Sequence, residues 1–120
     1  MTSTASGVAN PARGEIWEVD LDPTVGREQA GRRPALIVSD NALNRSPRGL
    51  VVVIPITGTA RGLPTHIPVI PPEGGTTKPS VIMAEQVRSV SKDRLVRRYG
   101  MVTPATMGQV DQILRLVLGL

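Results

Sequence analysis

A chain of 120 residues is long enough for one compact domain with its own core and too short for two. Fourteen Lys and Arg against ten Asp and Glu leave a net charge of +4, and twelve of those cations are arginine, whose fork fits phosphate and stays charged when desolvated. With no cysteine and one histidine, disulfide frameworks, thiolate nucleophiles, cysteine zinc sites, histidine metal clusters and two-histidine ribonuclease chemistry are excluded.

Residues 1–12 are small and polar without periodicity and read as a flexible tail, leaving residues 13–120 as the single domain. Neither a signal peptide nor an 18-residue apolar run is present, which points to the cytoplasm and away from a membrane. Residues 15–21 alternate, with Ile16, Val19 and Leu21 apolar, and predict a strand that is irregular around Trp17. For that sole tryptophan, core packing or a dimer contact is the default role, and base stacking the lesser one. Asp22-Pro23 ends the strand. A loop punctuated by glycines 26 and 31 then carries Arg27, Glu28, Gln29, Arg32 and Arg33 and runs into a short apolar strand at 35–38. Cations held at the mouth of a rigid sheet can grip a phosphate; a solvated charged turn is the plainer alternative.

Ser39-Asp40-Asn41 offers a cap for one helical turn over 42–44, and Ser46-Pro47-Arg48-Gly49 turns the chain. Residues 50–54 are continuous and mostly β-branched, as expected of a central strand buried on both faces, with Pro55 tolerable at its end or at a bulge. A small-residue loop at 57–62 leads to an extended run at 66–70, and Pro71 to Pro79 reads as a flexible turn. Short strands follow at 80–84 and 86–90, bent around Glu85, and at 95–99. The clearest helix is last. Thr103 is an N-cap, Pro104 sits at the first helical position, and Met107, Val110, Ile113, Leu114, Val117 and Leu118 recur at helical spacing. That stripe reads as core, its exposed part serving a dimer, and one arginine on the polar face does not make a membrane helix. Short strands, frequent turns and a terminal helix predict a mostly β fold, a small, strongly bent antiparallel barrel with a C-terminal α-helix.

The segments RGEIWEVDLDPTVGREQAGRRPALIVS (13–39), VVVIPIT (51–57), GLPTHIPV (62–69) and SVIMAEQVRSV (80–90), closed by the terminal helix, together resemble the MazF/PemK-type toxins of bacterial toxin–antitoxin pairs. The resemblance covers 13–120. It implies an SH3-like barrel shared with the gyrase-poisoning CcdB toxins, a cytoplasmic homodimer, an antitoxin partner, and metal- and cofactor-independent cleavage of single-stranded RNA at short sequences.

RNA can be cut by its own 2′-hydroxyl, giving a 2′,3′-cyclic phosphate and a 5′-hydroxyl. Without a histidine pair or a cysteine, arginines and hydroxyls must carry most of that work. Arg33 matches the family's catalytic arginine, and Pro34 and the strand beyond hold its backbone. Thr57 matches a catalytic hydroxyl position, with Thr59 as a substitute. Glu28 matches an acidic loop residue, fit either to accept a proton or to pair with Arg27 or Arg32. Arg27, Gln29, Arg32, Thr59 and His66 are expected RNA contacts, as are Glu85, Gln86 and Arg88 in a segment that lines the family's RNA groove. His66 has a near-neutral reference pKa suited to acid–base work, but a lone histidine at a strand start is more often a structural residue. An acidic antitoxin segment is expected in the same basic groove. A CcdB-like, protein-binding gyrase poison and a non-catalytic RNA-binding module stand as the alternatives. With only Trp17 and Tyr99 aromatic, a stacking platform of several aromatic rings is not expected.

Overall fold

The computed structural model describes residues 10–23, 25–59 and 62–120. Seven strands and two helices follow one another: β1 (Glu15–Asp20), β2 (Arg32–Ile37), α1 (Asn41–Asn44), β3 (Leu50–Thr57), β4 (His66–Val69), β5 (Ser80–Met83), β6 (Arg88–Ser91), β7 (Leu95–Met101) and α2 (Pro104–Leu118). Every ladder is antiparallel, in the order β4-β5-β3-β2-β1-β7, with β6 also paired to β3. The path ends at β4 and β7 without pairing them, so the sheet curls into a barrel-like form that is not closed by hydrogen bonds.

Side-chain alternation on the central strands makes two cores. Leu36, Ile54 and Ile56 point to one face, where Ile16, Val69, Ile82 and Val110 of α2 join them. Ala35, Ile37, Val51 and Val53 point to the other and meet Val19, Leu21, Val90 and Leu95. An unbroken apolar run is what a strand covered on both sides requires. Trp17 packs against the second cluster and donates its indole N–H to Glu15 at 3.0 Å. The irregularity expected near it is real, since the β1–β7 register shifts between Ile16 and Trp17 and again between Glu18 and Val19.

Several boundaries differ from the sequence expectation. β3 continues through Pro55 to Thr57 instead of stopping at 54. Pro55 falls in the gap between the β6 ladder, which ends at Val53, and the β5 ladder, which begins at Ile56. β2 starts at Arg32, so Arg32 and Arg33 are strand residues, opposite Asp20 and Val19, and not loop residues. The tail expected over 1–12 lies outside the described residues up to residue 9, while Pro11 is buried and Ala12 shares two hydrogen bonds with Glu15. The one-turn helix is capped as expected by Asp40, which accepts from the Ala42 N–H at 2.8 Å.

The segment expected to be a flexible turn at 71–79 is packed. Its 3-10 turn at Glu73–Gly75 buries Gly74, and the Glu73 carboxylate caps α2, accepting from the Thr103 N–H at 2.9 Å and from the Thr106 hydroxyl at 2.6 Å. Thr103 supplies the helix's own N-cap, and Gly119 closes it in the left-handed conformation. The first half of α2 is buried at Thr106 and Val110, whereas Leu116, Leu118 and Leu120 are exposed, with more than half of each in solvent. Among the described residues, no helix is long and apolar enough to cross a membrane.

Burial by itself would raise the Glu73 carboxyl, but the hydrogen bonds from Thr106 and Thr103 outweigh it and hold the pKa below its ordinary 4.5. A depressed carboxylate contributes stability that is present above its unfolded value and lost as pH falls through the folded one. Glu73→Ala is therefore expected to lower unfolding stability by about 1–2 kcal/mol at neutral pH. In urea titrations from pH 7 to pH 3, the wild-type advantage should shrink on acidification; an advantage that grew toward pH 3 would exclude the capping role.

Candidate active site

The antiparallel register of β2 and β3 creates the site. It pairs Ala35 with Pro55 and Leu36 with Ile54; continued two residues outward, it sets Arg33 opposite Thr57. These two residues, 24 apart in sequence, line one cavity of about 330 Å³ together with Arg32, Gly58, Lys78 and Ser80. Arg33 is fixed by its Nε, which donates to the Ala30 carbonyl at 3.0 Å. The Thr57 hydroxyl oxygen accepts from the Thr59 N–H at 3.3 Å, which leaves its proton free to donate. Thr59 is exposed at the rim, and the loop expected over 57–62 passes at residues 60 and 61 outside the described residues.

Lys78 and Ser80 had no sequence signal marking them. They arrive because the 71–79 segment, anchored by Glu73, carries Lys78 across Gly58. A Cβ on Gly58 would come within 2.7 Å of the Lys78 Cε. Among the described residues the cavity thus holds three cations, two hydroxyls and no carboxylate. Such a field favours a group with spread negative charge.

The remaining candidates gather in an adjoining cleft. Arg27, Gln29, His66, Glu85 and Gln86 line about 480 Å³, with Leu63 and Met83 as apolar walls. A smaller recess continues it, sharing Arg27, Glu85 and Gln86 and adding Glu28 and Arg88. Glu85 is the organiser here: it accepts from the Thr65 hydroxyl at 2.6 Å and lies 3.2 Å from His66 Nε2. Burial raises the Glu85 carboxyl, and the Thr65 hydrogen bond, a backbone N–H and His66 more than offset this, leaving it below the usual glutamate value. The His66 side chain is only 4% exposed, and its buried Nδ1 has no hydrogen-bond partner among the described residues.

Glu28 is not brought into the cavity of Arg33 and Thr57. Its carboxylate accepts from the Val25 N–H at 2.7 Å, and it makes no ion pair with Arg27 or Arg32 among the described residues. Gln86 donates to the Arg27 carbonyl at 3.4 Å and so joins the loop to the cleft floor. Arg88 donates to the Leu21 carbonyl at 3.3 Å, and Arg94 to those of Asp20 and Asp22. Arg13 binds Asp111 of α2 and the Val38 carbonyl. Arg13 and Arg94 are thus spent on structure, whereas Arg27, Arg32, Arg33 and Lys78 face the two clefts and Arg88 lines the recess.

Comparison with known proteins shows the family of the chain and agrees with its fold. The family model described as PemK-like, MazF-like toxin of type II toxin–antitoxin system matches residues 12–118. The chain is 39% identical over 113 residues to endoribonuclease MazF9 of Mycobacterium tuberculosis, covering 90% of this chain and 96% of that one. The crystal structure of MazF from Deinococcus radiodurans superimposes with a TM-score of 0.83 at 28% identity, covering 93% and 99% of the two chains. A mycobacterial endoribonuclease in complex with its cognate antitoxin superimposes with a TM-score of 0.76 at 35% identity, covering 92% and 96%.

Proposed function

This chain belongs to the PemK-like, MazF-like toxins of type II toxin–antitoxin systems, and we propose that residues 13–120 form a cytoplasmic endoribonuclease that cuts single-stranded RNA at short sequences without metal or organic cofactor. It is the toxin of such a pair, with an antitoxin as its partner. The observation that carries the chemical reading is the meeting of Arg33 and Thr57, with Lys78, in one cavity free of carboxylates.

In this reading the 2′-hydroxyl oxygen attacks phosphorus and the bond to the 5′-oxygen breaks. The products are a 2′,3′-cyclic phosphate and a 5′-hydroxyl. Arg33 and Lys78 bear on the equatorial oxygens, whose charge is greatest in the transition state, and the Thr57 hydroxyl orients the phosphate. Arg32 extends the same positive field toward the strand. The proton-acceptor role matched to Glu28 requires its carboxylate to leave the Val25 N–H; in the arrangement described, Glu28 instead holds the loop bearing Arg27 and Gln29. The mixed cleft of Arg27, Gln29, His66, Glu85 and Gln86 suits base edges, offering donors and acceptors between two apolar walls. Arg88 and Thr59 lie at its margin and at the rim of the cavity. The exposed leucines at the end of α2 supply the apolar surface for a homodimer.

Arg33→Ala is expected to reduce cleavage of a long single-stranded RNA, in EDTA, by about a hundred- to a thousand-fold while leaving the fold and dimer intact. End mapping reads the result: discrete cuts with 5′-hydroxyl ends for the wild type, and few for the variant. Near-normal cutting by a folded variant would remove Arg33 from the site, and intact RNA with the wild type would turn attention to a protein target.

An acidic antitoxin segment and RNA should compete for the cationic cavity. Fluorescently labelled 2′-deoxy-substituted RNA would be displaced by the peptide, and Lys78→Ala should weaken both ligands, each with a shallower salt dependence. Simultaneous binding would refute a shared groove.

A further inference from the structure

Beside the Arg33 cavity lies another of about 330 Å³, which shares Pro34, Lys78 and Ser80 with it. Its far wall is made by Arg97 and Tyr99 of β7, residues with no part in the chemistry above. The Arg97 guanidinium carbon sits 5.3 Å from the centroid of the Tyr99 ring. One carboxylate oxygen of Glu18, on the neighbouring strand, holds both: it forms an ion pair with Arg97, whose Nε lies 3.0 Å away, and accepts from the Tyr99 hydroxyl at 3.3 Å. The β1–β7 register places Glu18 directly opposite Arg97, so the arrangement is built into the ladder. Backbone packing fixes the strand from the other side, since a Cβ on Gly75 would lie 2.3 Å from the Tyr99 carbonyl oxygen.

The Arg97 side chain nevertheless remains 69% exposed. A guanidinium stacked on a ring, held at its edge by a carboxylate and open on its outer side, is a flat cationic platform. Bases stack on such guanidinium planes as they do on aromatic rings. Among the described residues, the cavity lining is mainly apolar and contains no acidic residue, and its only other cation is Lys78, at the boundary with the Arg33 cavity. Two cavities joined at a lysine match two consecutive units of a nucleic-acid strand, with the joining phosphate at the lysine.

We propose that this cavity receives the nucleobase next to the scissile phosphate, stacked on the Arg97–Tyr99 pair, with Lys78 at the phosphate between the two subsites. The proposal rests on the reading of the Arg33 cavity as the place of the cut. Stacking tolerates any base, so this subsite supplies affinity and alignment, and base choice stays with the Glu85 cleft.

The test uses steady-state cleavage of a short RNA containing the mapped cut site, with an abasic ribose placed in turn at the positions flanking the cut. One flanking abasic position should raise the wild-type KM about tenfold with kcat within about twofold. Arg97→Ala should raise KM on the intact RNA by a similar factor, and the two losses should not multiply when combined. Arg97→Lys keeps the charge without the plane and should behave like Arg97→Ala, which also covers the case in which the alanine variant folds poorly. The proposal is overturned if every flanking abasic RNA is cut with the wild-type KM, if the two losses multiply, or if Arg97→Lys restores KM. It is also overturned if Arg97→Ala weakens only an acidic antitoxin peptide, which would assign the cavity to that partner. A wild-type protein that cuts no RNA refutes the reading of the Arg33 cavity itself, a result separate from failure of the base subsite alone.

Discussion

The antiparallel pairing of β2 with β3 is the constraint on which the rest of this molecule depends. Both strands are buried on both faces, so their register is fixed twice, once by each core. A slip of β3 by one residue against β2 would carry Ile54 and Ile56 away from the α2 side and send Val53 to it. The same register sets Arg33 opposite Thr57 just where the apolar run ends. Two polar residues that emerge from opposite ends of paired strands are held by the stiffest part of the fold, as a site with demanding geometry needs.

A second dependence runs through the segment from 71 to 79. Glu73 fastens its start to the first turn of α2, and Lys78 near its end lies across Gly58. Between them Gly75 lies against the carbonyl of Tyr99 at a distance no side chain would permit. One short segment therefore connects the helix cap, the edge strand and the cationic cavity. Loss of the Glu73 contact would act on stability first, and on the cavity through the placement of Lys78.

Much of this was legible in the sequence, and the reasons are local. Thr103 and Pro104 announce the helix start, Asp40 the one-turn helix, and the β-branched run at 50–54 a strand covered on both faces. Periodicity cannot report register, so the meeting of Arg33 with Thr57 came from family resemblance rather than from spacing. Lys78 and Ser80 were illegible because a stretch of proline, glycine and threonine looks like a mobile turn until its packing partners are known. The extension of β3 through Pro55 was hidden for a related reason. A proline has no N–H to donate, and on the edge of β3 shared by β5 and β6 Pro55 falls in the gap between the two ladders, which only topology reveals. Glu28 shows the opposite failure: residue type and motif position suggest chemistry, while its carboxylate is engaged by the loop's own backbone.

The distribution of charge separates the two clefts by task. Among the described residues, the polar side chains of the Arg33 cavity are cations and hydroxyls, a set suited to the phosphate of any nucleotide. The Glu85 cleft mixes a depressed carboxylate, a buried imidazole, two amides and an arginine, the inventory that distinguishes donors from acceptors on a base edge. In the proposed reading, chemistry falls to β2, β3 and the segment anchored through Glu73, and recognition to the β1–β2 loop and the bend between β5 and β6. Sequence change in the loop or bend can alter which RNA is held without moving Arg33 or Thr57, because the register that places them is set by the two cores beneath.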